Sequence, residues 1–196
     1  MTDLRESWAR TTAHLSRAAE LSTGQDLSQF REYLEHNELQ LAADVLTELA
    51  DEHGQLPRAF WEALQYAYEN MGLEKNAKVC RFRMYEAEHG FVEARLSLLP
   101  ASAGGRSNPI FTDYRPDWNI GNRTDPGELE LNGARVSLED CEHIEPGGSD
   151  VVRLHPTLPE EWGHLQRGAE INMHEGSRVV GKAVVTRVAL RREPSS

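Results

Sequence analysis

Eight histidines, at 14, 36, 53, 89, 143, 155, 164 and 174, have the widest chemical reach in this 196-residue chain. Imidazole binds metals and moves protons near neutral pH. The spacing of these residues favours neither use. No His-x-x-x-His pair occurs, so no two of them are set as ligands on one helix face. Glu86-x-x-His89 and Glu161-x-x-His164 have Glu-x-x-His spacing, but the first ends a predicted helix and the second falls in a turn, so they do not make the paired helical set of a di-iron site. Cys141-Glu142-His143 offers two ligand types without a third in a loop-like acidic segment. Glu160-Glu161-Trp162 has no partner to raise a carboxylate pKa and reads as a surface turn in which the Trp anchors the domain. There is no Gly-x-x-x-x-Gly-Lys-Ser/Thr loop to cradle a nucleotide phosphate. The expectation is a chain without metal, cofactor or catalytic set, and so not an enzyme.

Binding residues are easier to find. Gly104-Gly105-Arg106 opens a stretch that runs through Pro109 to Tyr114-Arg115-Pro116. The two glycines allow positive φ in a tight turn, and Arg115 is expected to spread its guanidinium over several loop carbonyls. Near the end, Glu175-Gly176-Ser177-Arg178-Val179-Val180-Gly181 reads as a hairpin, with Gly176 and Gly181 letting strands bend and approach closely. A basic strip over Arg106, Arg178 and Lys182 would suit RNA. In the first half, Glu32, Glu35, Glu38, Asp44, Glu48, Asp51 and Glu52 crowd two helices. This is either a solvated face or, around Glu35, Glu38, Asp44 and Glu48, a docking surface for a basic partner.

The elements that must position these residues follow from periodicity. Residues 1–23 read as a helical arm, with Asp3 and Glu6 as a cap signature. Leu4, Trp8, Leu15 and Ala18 form a thin stripe broken by Thr11 and Thr12. Residues 24–91 read as an acidic antiparallel bundle of short helices. In the first, Phe30, Tyr33 and Leu34 face inward, with Asp26 and Gln29 as its capping box. Asn37 and Gln40 repeat the cap signature before Leu41, Ala42, Val45, Leu46 and Leu49, and Gly54 closes that helix. Pro57 opens the next, with Phe60, Ala63, Leu64, Ala67 and Met71 inward and Gly72 as its stop. Glu74–His89 is the last, with Val79, Phe82 and Tyr85 inward and Gly90 beyond. From residue 92 the period changes to two, with Ala94, Leu96 and Leu98 alternating with polar residues. Further strands are expected over 128–131, 134–138, 151–155, 169–173 and 179–190. Asn132-Gly133 is the strongest hairpin signal, and Asp125-Pro126-Gly127 and Pro146-Gly147-Gly148 read as turns. The fold class is segregated α+β: a helical bundle, then an all-β barrel over 92–196.

Charge bears on the partners. Residues 1–92 hold 9 Lys/Arg and 16 Asp/Glu, net −7, and residues 93–196 hold 12 and 16, net −4. Such a chain is repelled by phosphate backbones outside local basic patches and is suited to a basic protein. No apolar run approaches the ~18 residues of a membrane span. Cys80 and Cys141 lack metal-ligand spacing and are expected as free thiols in a cytoplasmic protein.

Two resemblances rest on these motifs. Gly104-Gly105-Arg106, Tyr114-Arg115-Pro116, Pro146-Gly147, Val152–Pro156 and Glu175–Gly181, in that order, resemble the third domain of elongation factor Tu, a β-barrel. The resemblance implies that Arg106, Glu175 and Gly176 lie on a surface that meets the T-stem of aminoacyl-tRNA. The chain departs from that pattern at Ser107, where His is common, at Asp117, where a neutral Gln is usual, and at Pro126, in place of a Thr. The GTPase domain and second barrel have no counterpart, so neither GTP binding nor tRNA delivery is implied. The stretch Phe30–Asp44, with Pro57–Leu64, resembles small helical immunity proteins of polymorphic toxin systems, the MafI-like group. That resemblance implies a bacterial inhibitor that binds a toxin. The leading expectation is a non-enzymatic protein-binding module of immunity or regulatory type. The alternatives are a tRNA-binding barrel using Arg106, Glu175, Gly176 and Arg178, or an enzyme of unrecognised type.

Overall fold

The computed structural model describes residues 4–53, 56–125, 127–139 and 141–191. Within it the chain forms two compact units that meet at Glu88/His89. The first holds five helices: α1 (Leu4–Leu21), α2 (Ser28–Glu35), α3 (Leu39–His53), α4 (Arg58–Asn70) and α5 (Glu74–His89). The second holds β1 (Val92–Leu98), β2 (Ile110–Phe111), β3 (Asp117–Asn119), β4 (Asn132–Leu138), β5 (His143–Ile144), β6 (Ser149–Pro156), β7 (Glu170–Glu175) and β8 (Arg178–Val188). The fold is the segregated α+β arrangement expected.

The helical unit is built on α4, which buries Phe60, Trp61, Ala63, Leu64, Ala67 and Tyr68. The first helix packs along it, burying Thr11, Leu15 and Ala18. Leu4 and Trp8, expected inward, are exposed, and Thr11, expected to interrupt the stripe, is buried. The reason is a polar latch. Asn70 Nδ2 donates to Thr11 Oγ1 at 2.6 Å and to the Ser7 carbonyl at 2.7 Å, and Thr11 Oγ1 donates to the same carbonyl at 3.2 Å. A hydroxyl whose hydrogen bonds are met can be buried without the desolvation penalty of an orphan.

Helix ends explain two further differences. Asn37 does not start α3. It stands in the left-handed region, with φ 58°, and ends α2. Its N–H donates to the Leu34 carbonyl at 3.1 Å, and that of Glu38 donates to Tyr33 at 2.8 Å. These are the two bonds of a Schellman motif, where Asn is the common substitute for Gly. Gly72 ends α4 the same way, with Gly72 N–H on Glu69 and Leu73 N–H on Tyr68. Asp26 accepts the Ser28 N–H at 3.0 Å, but Leu27 is the cap residue, so no capping box forms. Pro57, expected in the first turn of α4, stands just before it as the N-cap in extended conformation. Asp3 and Gly54 lie outside the described residues.

Leu41 and Val79 are exposed, against expectation. In α3 the buried residues are Leu39, Ala42, Ala43, Val45, Leu46 and Ala50, and in α5 they are Ala77, Cys80 and Phe82, with Met84 half-buried; Val45 and Phe82 are buried as expected. Tyr85 is also only half-buried. Burial pushes the Cys80 thiol up to about 12, which leaves it protonated and inert. Ion pairs link the outer surfaces: Arg58 with Glu88 at 2.7 Å and Arg81 with Glu69 at 2.9 Å.

The second unit is a closed antiparallel barrel in the order β1-β6-β4-β3-β7-β8, with β2 and β5 paired as a separate ribbon. Closure leaves no free sheet edge in the barrel. Pairing runs past β1, because Ala189 N–H bonds Phe91 and Arg191 N–H bonds His89. At Gly90, with φ 77°, a Cβ would overlap the Ala189 carbonyl. The interior holds Leu96, Val136, Leu154, Ile171 and Met173 around Trp118 and Trp162, whose rings meet edge-on at 6.4 Å. Trp162 anchors its turn, as read from the sequence. Register shifts at Val180 and Thr186 put two bulges in β8, which bend it around the barrel.

Asn132-Gly133 is not a hairpin. Both residues begin β4 and pair with Trp118 and Asp117 of β3. Residues 128–131 hold only an isolated bridge, Arg123 to Leu129. The turns that do form include Pro146-Gly147, closed by Gly148 N–H on the Glu145 carbonyl at 2.8 Å, the Glu175–Arg178 hairpin of β7 and β8, and the turn expected at 125–127, closed by Gly127 N–H on the Thr124 carbonyl at 2.7 Å. Pro146 at the second position and Gly147 at the third, with φ 81°, match a type II turn. Pro126 lies outside the described residues.

Candidate functional site

The barrel residues singled out from sequence lie together at the β7–β8 hairpin. Gly176, with φ 58°, takes the first turn position, so that Glu175 and Arg178 face each other across the last pair. The Arg106 guanidinium reaches this hairpin from the loop after β1. Gly104 is left-handed, with φ 83°. Gly105 is glycine for a different reason: it does not have positive φ, but a Cβ there would overlap the Leu99 carbonyl.

One carboxylate organises the cluster. Glu175 Oε1 forms an ion pair with Arg106 and accepts from Tyr114 Oη at 2.6 Å. Glu175 Oε2 accepts from Arg178 Nη2 at 3.0 Å. Arg106 also donates to Tyr114 Oη and, through Nε, to the Asn108 carbonyl at 3.2 Å. Its guanidinium lies 4.4 Å from the Tyr114 ring centre, within cation–π range. With its side chain 14 % exposed, Arg106 is largely withdrawn from solvent, whereas Arg178 is 55 % exposed. Two cations share one anion, so the hairpin keeps one net positive charge, and Arg178 presents it.

The fork expected of Arg115 belongs to Arg106. Arg115 is 67 % exposed and makes one long contact, to Asp113 Oδ1 at 3.4 Å. Tyr114 is the residue sequence reasoning missed. It is 61 positions from Glu175, and no local pattern joins them.

The acidic helical residues divide differently. Glu35 and Glu38 are exposed beside His36 at the end of α2. Glu48 is exposed ten residues along from Glu38, which is about 15 Å at the helical rise. None of the three has a cationic partner among the described residues. Asp44 does not share that surface. It is half-buried, and its carboxylate accepts from Tyr68 Oη at 3.1 Å, with Thr47 Oγ1 2.9 Å from the same phenol oxygen. The His36 ring donates to the Glu32 carbonyl at 2.8 Å. That bond, with the negative charges of Glu38, Glu32 and Glu35, holds the imidazole pKa above its ordinary value.

The remaining chemistry-bearing residues are scattered. His143 Nε2 is 3.1 Å from Glu145, and His164 Nε2 is 2.9 Å from the Ile120 carbonyl. The Asp150 carboxylate is held below its ordinary pKa by hydrogen bonds from the Cys141 thiol and the Val151 N–H. No group of three His, Cys, Asp or Glu side chains able to hold a metal ion is found among the described residues. No described helix is long and apolar enough to cross a membrane. No protein-family model matches the chain.

Proposed function

We propose that this chain is a non-enzymatic protein-binding module, of immunity or regulatory type, that docks a basic protein through its acidic helical unit. The observation that carries this reading is the set of exposed carboxylates at Glu35, Glu38 and Glu48 without cationic partners among the described residues. Uncompensated surface charge raises encounter rate and partner discrimination more than it adds stability. A basic toxin is the partner that the MafI-like resemblance suggests, and the barrel, if it imitates the third domain of elongation factor Tu, would compete for what binds that domain. Capture from the native organism tests the reading, with wild-type bait beside E35K/E38K/E48K. The expected result is a basic protein held by wild type and lost from the variant. A partner retained equally by both baits would overturn the role of this face.

A second reading has one observation in its favour. The hairpin's net positive charge is presented by Arg178, so a tRNA phosphate could be met there rather than at Arg106. Co-elution with bulk tRNA at low salt, lost on Arg178→Ala, is the expected result if the barrel binds RNA.

A further inference from the structure

The outer face of β8 and β1 carries cations that the fold does not use. Lys182 of β8 pairs with Ser97 of β1, Val184 with Arg95, and Arg187 with Glu93. Directly paired residues project to the same side of a sheet, and Ala94 and Leu96, which alternate with these, fill the interior. Lys182, Val184, Arg187 and Arg95 therefore point outward, and all four are exposed. Arg95, Lys182 and Arg187 make no salt bridge among the described residues. The Glu93 carboxylate, beside Arg187, accepts instead from Thr186 Oγ1 at 2.7 Å. The Arg187 guanidinium lies 5.2 Å from the centre of the Phe91 ring, which positions it without neutralising it. On the β7 side the face ends at the exposed Glu170, which pairs with Val184.

The same pattern, with the opposite sign, stands on the helical unit. Lys182 and Arg187 pair with β1 residues four positions apart, about 14 Å at the strand rise, and the exposed Val184 lies between them. Glu38, just before α3, and Glu48 within it are about 15 Å apart at the helical rise, and the exposed Leu41 lies between them. Leu41 and Glu48, seven residues apart, share one line of that helix. Each row reads charge, apolar, charge over a common length, and in each the apolar residue stands nearer the first charge. Rows of opposite sign and matched spacing, each uncompensated in its own unit, are complementary surfaces.

We propose that the outer face of β8 and β1 docks a second copy of this chain, taking that copy's acidic helical face with Glu38 over Lys182, Leu41 against Val184 and Glu48 over Arg187. The proposal rests on the docking role of the acidic face and names the basic surface it meets. The contact is heterologous, so it extends from copy to copy. Copies with a net charge of −11 repel at long range, but salt of about 0.1 M, with a Debye length of about 10 Å, screens that repulsion more than pairs in contact.

Sedimentation velocity of the full chain at that salt is the test. The expected result is a weight-average mass that rises at least about 1.5-fold above the monomer between about 10 and 500 μM and falls back at about 0.5 M salt. E35K/E38K/E48K and R95E/K182E/R187E should each stay monomeric. An equimolar mixture of the two should associate again, because the reversed rows fit each other and so do the native ones. Circular dichroism reports that each variant is folded, and R95Q/K182Q/R187Q, which introduces no negative charge, should also lose association. A wild-type chain that stays monomeric, association that survives in any of these variants alone, or a mixture no heavier than its components would overturn the proposal. A foreign basic protein captured by a monomeric wild type and lost from E35K/E38K/E48K would refute self-docking and leave the helical-face reading standing.

Discussion

The hairpin of the barrel and the acidic face of the helical unit are both charged surfaces, and they use charge in opposite ways. At the hairpin, Arg106, Tyr114, Glu175 and Arg178 close on one another, and the most buried cation has the most partners. At the helical face, Glu35, Glu38 and Glu48 are exposed and form no salt bridge with Lys or Arg among the described residues. Interactions already made within a fold stabilise it and leave little for a partner, because breaking them costs what the new contact would return. Unpaired exposed charge contributes almost nothing to folding and remains free to steer an encounter. Charge density alone would have ranked the two surfaces equally, but their satisfaction separates them.

The comparison breaks most visibly at the glycine that seats Arg106. Gly105→Ala drives a Cβ into the Leu99 carbonyl, and backbone cannot move aside as a side chain can. A loss of about 3 kcal/mol or more is expected, read as a large fall in the denaturant midpoint. Arg106→Ala removes the principal partner of Glu175, which then keeps Tyr114 and Arg178. The expected cost is about 2 kcal/mol by chemical denaturation, below that of breaking a fully buried pair because Glu175 is partly solvated. A cost under about 0.5 kcal/mol would mean that the cluster is no more structural than an exposed pair. In the helical unit the matching test is Asn70→Ala, which strips the α1 latch and leaves Thr11 buried with one bond fewer. About 1–2 kcal/mol is expected, with Trp8 fluorescence reporting release of α1.

These residues also show what could be read in advance. The helical half and the barrel were legible because periods of 3.6 and 2 record burial directly, and Gly72, Gly90, Pro146-Gly147 and Gly176 mark their breaks by backbone geometry alone. Thr11 was misplaced because its burial depends on Asn70, 59 residues away, and Leu41 and Val79 because a stripe can be read one position off when small alanines flank it. Asn132-Gly133 has the composition of a turn, yet pairing with Asp117 and Trp118 overrides local preference. The site followed the same division. Arg106, Glu175, Gly176 and Arg178 were singled out from motifs and lie together in the fold, but which of them is buried depends on Tyr114. Arg115 looked like the fork because its neighbours are rigid, and only the folded loop shows that Arg106 holds that place. Asp44 carries the same charge as Glu48 and differs from it only through Tyr68.

The smallest effects sharpen the other side of the comparison. E35Q/E38Q/E48Q should leave the denaturation midpoint within about 0.5 kcal/mol of wild type, since no bond within the fold is removed. His36 then reports the field these carboxylates make. Its pKa is raised first by the bond to the Glu32 carbonyl and then by Glu38, Glu32 and Glu35. A raised folded-state pKa gives a contribution to stability that is complete below the unfolded value and is lost as pH rises through the folded one. Because His36 is fully exposed, the useful readout is its own titration, not the stability of the fold. By NMR the ring should titrate above the ordinary histidine midpoint, and E35Q/E38Q should lower it only part of the way. The Glu32 carbonyl bond persists in that variant, whereas the charges of Glu35 and Glu38 do not. A midpoint unmoved by E35Q/E38Q would mean that the face projects too little field to steer a partner, and the contrast with the closed hairpin would lose its functional meaning.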